Sequence, residues 1–259
     1  MRETFNRQLT QIRQELVSIY AGIDLALHDA VEALAEGDRR RAKEVRALTR
    51  DFDRRCAELE ERAFSLIATQ QPVAGDLRLI QFAIYANFNL ARMSNHVRNI
   101  AKTAKRCAGR EVPGQLLDLL ASEGHLVYRV LSGCVMAIVE EDLRLAASLP
   151  TLDEPVDDLY KQFFRTLATL GPDDDMDAAS RVVMASRMLE RISDNAVEVG
   201  ERLVVLLTGR RLSLDDLADL DDEELAELLV ARGAGLVHGR VVDERLARQI
   251  PEVTIEGEE

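Results

Sequence analysis

Residues 9–34 read LTQIRQELVSIYAGIDLALHDAVEAL, with an apolar side chain at nearly every third or fourth position. An α-helix repeats every ~3.6 residues, so this spacing places the apolar side chains on one stripe of a helix. No proline interrupts the segment. It therefore predicts a single helix much longer than the mean of about 11–12 residues in globular proteins.

The same periodicity continues between sparse glycine and proline residues along most of the chain. It predicts six helices, over residues 2–36, 38–70, 75–108, 114–140, 142–170 and 177–208. Long alternating β-branched runs are absent and aromatic residues make up only 4% of the chain, which favours an all-α fold. Because the connections are short, consecutive helices are expected to pack antiparallel.

An internal repeat divides the predicted helices into two groups of three. Shifted by 104 positions, GDRRRA (from Gly37) lies over EDLRLA (from Glu141), and shifted by 99, LARMSN (from Leu90) lies over LERISD (from Leu189). The predicted fold is a tandem repeat of two antiparallel three-helix bundles plus an acidic C-terminal extension. The predicted bounds are residues 1–110, 111–208 and 209–259. Within the extension, residues 222–231 are expected to form a short acidic helix.

The charge of the chain excludes several classes of partner. Its 259 residues carry 33 Lys and Arg against 46 Asp and Glu, a formal net charge of −13, of which −8 lies after residue 208. Binding to nucleic acid requires concentrated Lys and Arg, so we expect no nucleic-acid partner. Polar helix faces without a Lys/Arg belt also argue against direct insertion into a membrane.

Location is indicated by the N-terminus and the cysteines. The opening MRETFNRQLTQIRQEL is charged throughout and lacks the apolar core of a signal peptide. The longest apolar runs are far shorter than the ~20 residues needed to span a bilayer. Three cysteines without ligand spacing predict buried free thiols. We therefore expect a cytoplasmic protein.

Two pairs of carboxylates in the second half could bind metal. Asp153 and Asp157 are four residues apart, as are Glu190 and Asp194, so each pair shares one helix face. Counted from a turn between Pro172 and Asp174, Asp157 is as far away as Glu190, and Asp153 is as far away as Asp194. Equal distances in an antiparallel hairpin mean equal height, so the four carboxylates should form an oxygen-rich metal site. The alternative is a solvated acidic face.

The first half keeps this geometry without the carboxylates. The positions equivalent to Asp153, Asp157, Glu190 and Asp194 are Thr49, Asp53, Ala91 and Asn95. Only Asp53 is an acid. The first bundle should therefore bind metal weakly or not at all.

Two prolines in the fifth predicted helix predict a local break. Pro150 and Pro155 each lack an N–H donor and clash with the preceding turn, so the helix should kink or restart there. Thr151 and Glu154 have the spacing of a capping box, which would restart the helix at Thr151.

Enzymatic motifs are missing. No nucleophile elbow, P-loop, glycine-rich dinucleotide turn or HExxH motif occurs, and His28, His96, His125 and His238 show no ligand spacing. We therefore do not predict an enzyme.

Several motifs of this sequence resemble those of the PhoU family of phosphate-uptake regulators. They are QQPVAGDLRLI (from Gln70), NHVRNIA (from Asn95), DEPVDDLY (from Asp153), LERISDNAVEV (from Leu189) and the opening MRETFNRQLTQIRQEL. The resemblance covers about residues 1–208, and its motifs recur in order in both halves.

The resemblance implies two three-helix bundles and metal clusters, often of iron or zinc, held by Glu/Asp-x-x-x-Asp motifs. These motifs carry over to Asp153, Asp157, Glu190 and Asp194. The sequence departs from the family pattern at Thr49, Ala91 and Asn95, so a cluster is expected in the second bundle only.

The function that the resemblance implies is negative regulation of phosphate uptake and phosphate signalling. It implies a homodimeric adaptor between the ATPase of a phosphate ABC transporter and a sensor histidine kinase. The alternatives are a metal-binding carboxylate protein, such as a di-iron-like oxidase or metal store, and a metal-free structural bundle.

Overall fold

The computed structural model of the chain describes residues 2–230. Its helices are α1 (Arg2–Glu36), α2 (Arg39–Gln70), α3 (Ala74–Cys107), α4 (Gly114–Glu140), α5 (Leu143–Leu167), α6 (Met176–Thr208), α7 (Leu214–Ala218) and α8 (Asp222–Val230). Between residues 2 and 230 there is no strand, so the all-α prediction is confirmed.

The helices form two bundles of three. Each of α1, α2 and α3 contacts the other two, and the same is true of α4, α5 and α6. The bundles are joined where α1 packs on α4 and α3 packs on α6, and their apolar side chains form one continuous core. The tandem three-helix architecture is confirmed, while the boundaries at residues 110 and 208 stay a prediction.

The repeat is visible in how α2 and α5 begin. The Asp38 carboxylate accepts hydrogen bonds from the N–H groups of Arg40 (2.8 Å) and Arg41 (3.0 Å). The Asp142 carboxylate accepts from Arg144 (2.7 Å) in the same way. Both satisfy N–H groups that a helix start leaves unpaired. The residue before each cap has a positive φ, 66° at Gly37 and 55° at Glu141, so the two tight turns are equivalent.

The prediction of a restart in the fifth helix is wrong. α5 runs unbroken from Leu143 to Leu167 with Pro150 and Pro155 inside it, so Thr151 does not cap a new helix. Leu149 and Val156, beside the two prolines, are fully buried in the same core. Packing on both sides of the prolines holds the helix in one piece and offsets the lost backbone hydrogen bonds.

The start of the extension is packed on the second bundle. α7, which the sequence analysis did not predict, contacts α5, and its Leu214 and Leu217 are buried. The short acidic helix is present as α8 up to Val230. Ala231, the predicted end of that helix, lies outside the described residues, as does the rest of the extension.

Two further features agree with the sequence. Cys56, Cys107 and Cys134 are free and buried, as predicted. Among residues 2–230, none of the helices combines the length and apolar composition needed to cross a membrane.

Candidate metal centre

The structure brings the four predicted carboxylates together. α5 carries Asp153 and Asp157, and α6, which packs against it, carries Glu190 and Asp194. In addition to burial, the charge of Asp157 raises the pKa of each of the other three carboxyls, and the charge of Asp194 raises the pKa of both Asp153 and Glu190. The four side chains therefore form one electrostatically coupled acidic face, while the matched heights of the two pairs stay a prediction.

Burial adds to this repulsion. Burial is the largest cause of the raised pKa of Asp153, of Glu190 and of Asp194. Glu190 is only 8% exposed. Its Oε2 atom and the Oδ1 atom of Asp153 are buried without a hydrogen-bond partner among the described residues. Unpartnered buried carboxylate oxygens are costly, and a cation is one way to satisfy them.

Two arginines of α6 partly neutralise the acidic face. Arg187 donates to Glu190 Oε1, and its guanidinium stacks over Tyr160, 5.2 Å from the ring centroid. Arg191 lies 3.7 Å from Glu190 Oε2 and 3.6 Å from Asp194 Oδ2. The side chain of Arg191 is 45% exposed, so solvent screens its contribution. The face keeps an excess of two carboxylates over guanidinium groups.

No three of these four carboxylates have mutually close oxygens. Within residues 2–230, the one group of three ligand-type side chains whose ligand atoms all lie within 4.8 Å of one another is on α1, formed by His28, Asp29 and Glu32. That group is partly exposed, and Arg41 already pairs with Glu32. For the acidic face to hold an ion, its carboxylates must therefore move closer together.

Glu123 of α4 is a buried acid that the sequence analysis missed. Its side chain is fully buried, and neither carboxylate oxygen has a hydrogen-bond partner in the described part of the chain. Burial raises the pKa of Glu123 to about 9, with the charge of Glu190 adding to the rise and the Ser186 hydroxyl opposing it. Its carboxyl is therefore protonated at neutral pH. The signal was in the sequence, since Glu123 continues the stripe of Leu116, Leu120 and Val127.

The equivalent face of the first bundle holds an arginine. Arg98 of α3 donates to the backbone carbonyl of Thr49 (2.9 Å), to its hydroxyl (3.1 Å), to Asn95 Oδ1 (3.1 Å) and to Asp53 Oδ2. Ser94 donates to the Thr49 carbonyl as well (3.2 Å). The guanidinium thus joins three of the positions equivalent to the acids of the second bundle. The same guanidinium thus contacts both Thr49 of α2 and Asn95 of α3.

The family of the chain follows from a comparison with family models. The PhoU domain model matches it twice, over residues 17–104 and 120–203, one match to each bundle. The chain belongs to the PhoU family.

Similar proteins agree with this assignment. The chain is 31% identical over 208 residues to the phosphate-specific transport system accessory protein PhoU homolog 1 of Methanothermobacter thermautotrophicus, covering 79% of this chain and 94% of that protein. It is equally identical over 210 residues to PhoU homolog 1 of Mycobacterium leprae, covering 81% and 95%. The crystal structure of PhoU from Pseudomonas aeruginosa superposes with a TM-score of 0.75 at 26% identity, over 80% of this chain and 100% of that one.

Both PhoU matches end before the C-terminal extension. The second match stops at residue 203, and α7 and α8 follow it. The PhoU relationship therefore concerns the two bundles, including α5 and α6 with their acidic face.

Proposed function

We propose that this PhoU-family chain is a cytoplasmic accessory protein of a phosphate-specific transport system, acting as a negative regulator of phosphate uptake and phosphate signalling. The observation that carries the proposal is the match of both bundles to the PhoU domain. It is supported by relatives that the chain matches over 94% and 95% of their length, each named as an accessory protein of phosphate transport.

The proposed mode of action is that of an adaptor and not of an enzyme. Its partners would be the ATPase of a phosphate ABC transporter and a sensor histidine kinase, and the chain would act as a homodimer. Large exposed side chains on three helices support a docking role, since Phe64, Phe88 and Phe164 are 52%, 61% and 49% exposed. Exposed aromatic residues are enriched where proteins bind one another.

A metal cluster is the proposed stabiliser of the second bundle. Asp153, Asp157, Glu190 and Asp194 would hold iron or zinc ions. The buried Glu190 Oε2 and Asp153 Oδ1 atoms support this proposal, because they lack a hydrogen-bond partner in the described residues and suit a hard cation. A bound cation would offset the mutual repulsion of these acids and cross-link α5 to α6.

Phosphate uptake in cells tests the proposal. Deleting the gene should raise the uptake of radiolabelled phosphate from phosphate-rich medium, and the wild-type gene should restore low uptake. Unchanged uptake after deletion would contradict the regulatory role.

A pair of variants separates regulation from metal binding. Asp157→Asn/Glu190→Gln should fail to restore low uptake if the cluster holds the bundle in its docking form. The control, Asp51→Asn/Glu58→Gln, makes the same charge change at exposed acids of α2 that pair with Arg54, and should restore it. Equal restoration by both variants would retain the regulatory role and remove the metal from it.

A further inference from the structure

A small cavity lined by arginines lies where the end of α6 meets the start of α3. Its polar lining is Arg78, Gln81 and Tyr85 of α3, Arg202 of α6 and Arg211 of the loop that follows α6. The volume is about 60 Å³, and the remaining lining residues are apolar. We call this the arginine corner. Among residues 2–230, its lining includes three guanidinium groups and no carboxylate.

The three arginines have no acidic partner in the described part of the chain. None of them forms an ion pair there, whereas many arginines elsewhere in the structure pair with Asp or Glu. Arg202 instead stacks over Tyr85, 4.6 Å from the ring centroid. The Nε atom of Arg78 is buried and has no hydrogen-bond acceptor among residues 2–230. A buried N–H donor without an acceptor lowers the stability of the fold, and a bound anion would supply the missing acceptor.

At the equivalent corner of the second repeat, carboxylates of the chain itself pair with the arginine. There the end of α3 meets the start of α6, and Arg110 forks onto Asp175 (2.7 Å) and also pairs with Asp177. Under the shift of 99 that aligns α3 with α6, Asp177 corresponds to Arg78. One corner thus carries its own carboxylates, whereas the arginine corner has an arginine at the same position.

The size and chemistry of the corner select the anion. Small-molecule pockets usually measure ~300–1,000 Å³, so a space of about 60 Å³ suits a few water molecules or one small ion. Guanidinium groups bind tetrahedral oxyanions through paired N–H donors. The Gln81 amide adds both a donor and an acceptor, and the acceptor suits a phosphate ion that carries a proton.

We infer that the arginine corner is a binding site for an inorganic phosphate ion. The inference rests on the geometry of this corner alone and goes beyond the proposed function. It is also separate from the acidic face, which uses other residues. Because no carboxylate from the described part of the chain lines the corner, sulfate should compete with phosphate for it.

Titration calorimetry with the full-length chain and inorganic phosphate tests the site. Arg78→Gln and Arg202→Gln should each raise the Kd by about tenfold or more, since each removes a charge-assisted hydrogen bond. Arg202→Lys keeps the charge without the fork and should have a smaller effect. Arg50→Gln makes the same charge change at an exposed arginine of α2 and should leave the Kd unchanged. Circular dichroism melting would show that each variant is folded.

Three outcomes would overturn the inference. The first is an absence of phosphate binding by the wild-type chain at millimolar concentration, and the second is an unchanged Kd in both glutamine variants. The third is tighter binding of O-phosphoserine than of inorganic phosphate, which would assign the corner to a phosphorylated protein. None of these outcomes alters the phosphate-uptake test of the regulatory role, so the two proposals fail separately.

Discussion

The two bundles share the same helical architecture but carry different charges on the equivalent helix face. In the first bundle, Arg98 occupies the face between α2 and α3 and pairs with Asp53, the one acid left there. In the second bundle, the face between α5 and α6 keeps four carboxylates, and Asp153 and Glu190 have buried oxygens without a hydrogen-bond partner in the described residues. If the proposed metal site is correct, the duplicated scaffold balances this face with an arginine in one copy and with a bound metal ion, in addition to Arg187 and Arg191, in the other.

The largest expected effect on stability comes from Glu123, a buried acid of the second bundle whose equivalent position in the first bundle is apolar. Under the shift of 104, Glu123 corresponds to Ile19, which is fully buried and apolar. The pKa of Glu123 is raised to about 9 from a usual value of 4.5. The folded chain therefore keeps a proton that the unfolded chain releases, so stability falls by about 1.4 kcal/mol per pH unit as pH rises between these values.

Glu123→Gln should remove that loss. We expect the metal-free variant to be more stable than the wild type by about 3 kcal/mol near pH ~8, and to lose less stability as pH rises. Urea unfolding at several pH values in the presence of a chelator measures this. Asp118→Asn, at an exposed acid of the same helix, is the control. A destabilised Glu123→Gln variant would show that the carboxyl is ionised and paired.

The first bundle also contains an acid with a raised pKa, Asp24, at a position that is not equivalent to Glu123. Burial raises the pKa of Asp24 in α1 to about 7 from 3.8. The folded chain retains this proton while the unfolded chain releases it, so stability falls as pH rises from about 4 to about 7. Asp24→Asn should flatten this dependence and stabilise the chain by about 2 kcal/mol near pH ~7, allowing for partial solvent access.

Denaturant unfolding across that pH range checks the prediction for Asp24. Asp51→Asn is the control, because Asp51 is exposed and, within residues 2–230, pairs only with the exposed Arg54. Parallel pH profiles for the wild type and Asp24→Asn would assign the dependence to other groups.

Removing the Arg98 guanidinium from the first bundle should change stability by a similar amount in the opposite direction. Arg98→Ala removes the ion pair with Asp53 and one hydrogen bond to the Thr49 carbonyl, and the Arg98 side chain is only 19% exposed. We expect a loss of about 2 kcal/mol in the free energy of unfolding. Arg54→Ala, which breaks two exposed ion pairs on α2, should cost about 0.5 kcal/mol or less. Equal losses would mean that Arg98 is only a surface residue.

The smallest effect on stability is expected at Arg187, which partly neutralises the acidic face of the second bundle. Arg187→Gln removes the pair with Glu190 and the stacking on Tyr160. Metal-free protein should lose about 1 kcal/mol of stability. Protein loaded with metal should lose less, because the bound cation would take over the neutralisation of Glu190. Thermal melting with and without metal compares the two, and equal losses would contradict the proposed role of the cation.

Much of this architecture could be predicted because the apolar periodicity of a long helix indicates its bounds and the face that packs against other helices. Helix bounds, the antiparallel hairpins and the placing of Asp157 near Glu190 all follow from spacing and short turns. Sequence spacing could not reveal that Arg98 reaches Thr49 and Asp53, because that contact depends on how a long side chain crosses between helices.

The wrong and missing predictions have local causes. The restart at Thr151 was predicted from the rule that proline breaks a helix, but Leu149 and Val156 anchor both sides of the prolines in the core. Helix α7 is only 5 residues long, and Ser213, which caps it, gives a weak signal without the packing of Leu214. Very short helices depend on tertiary contacts more than on propensity.

The central claim is that only the second bundle binds metal. It is tested most directly by the metal content per chain, measured by plasma mass spectrometry on protein purified without an affinity tag. We predict about two or more ions per wild-type chain, a loss of these ions in Asp157→Asn/Glu190→Gln, and no change in Asp53→Asn. Metal-free wild-type protein that melts at the same temperature as the double variant would contradict the claim.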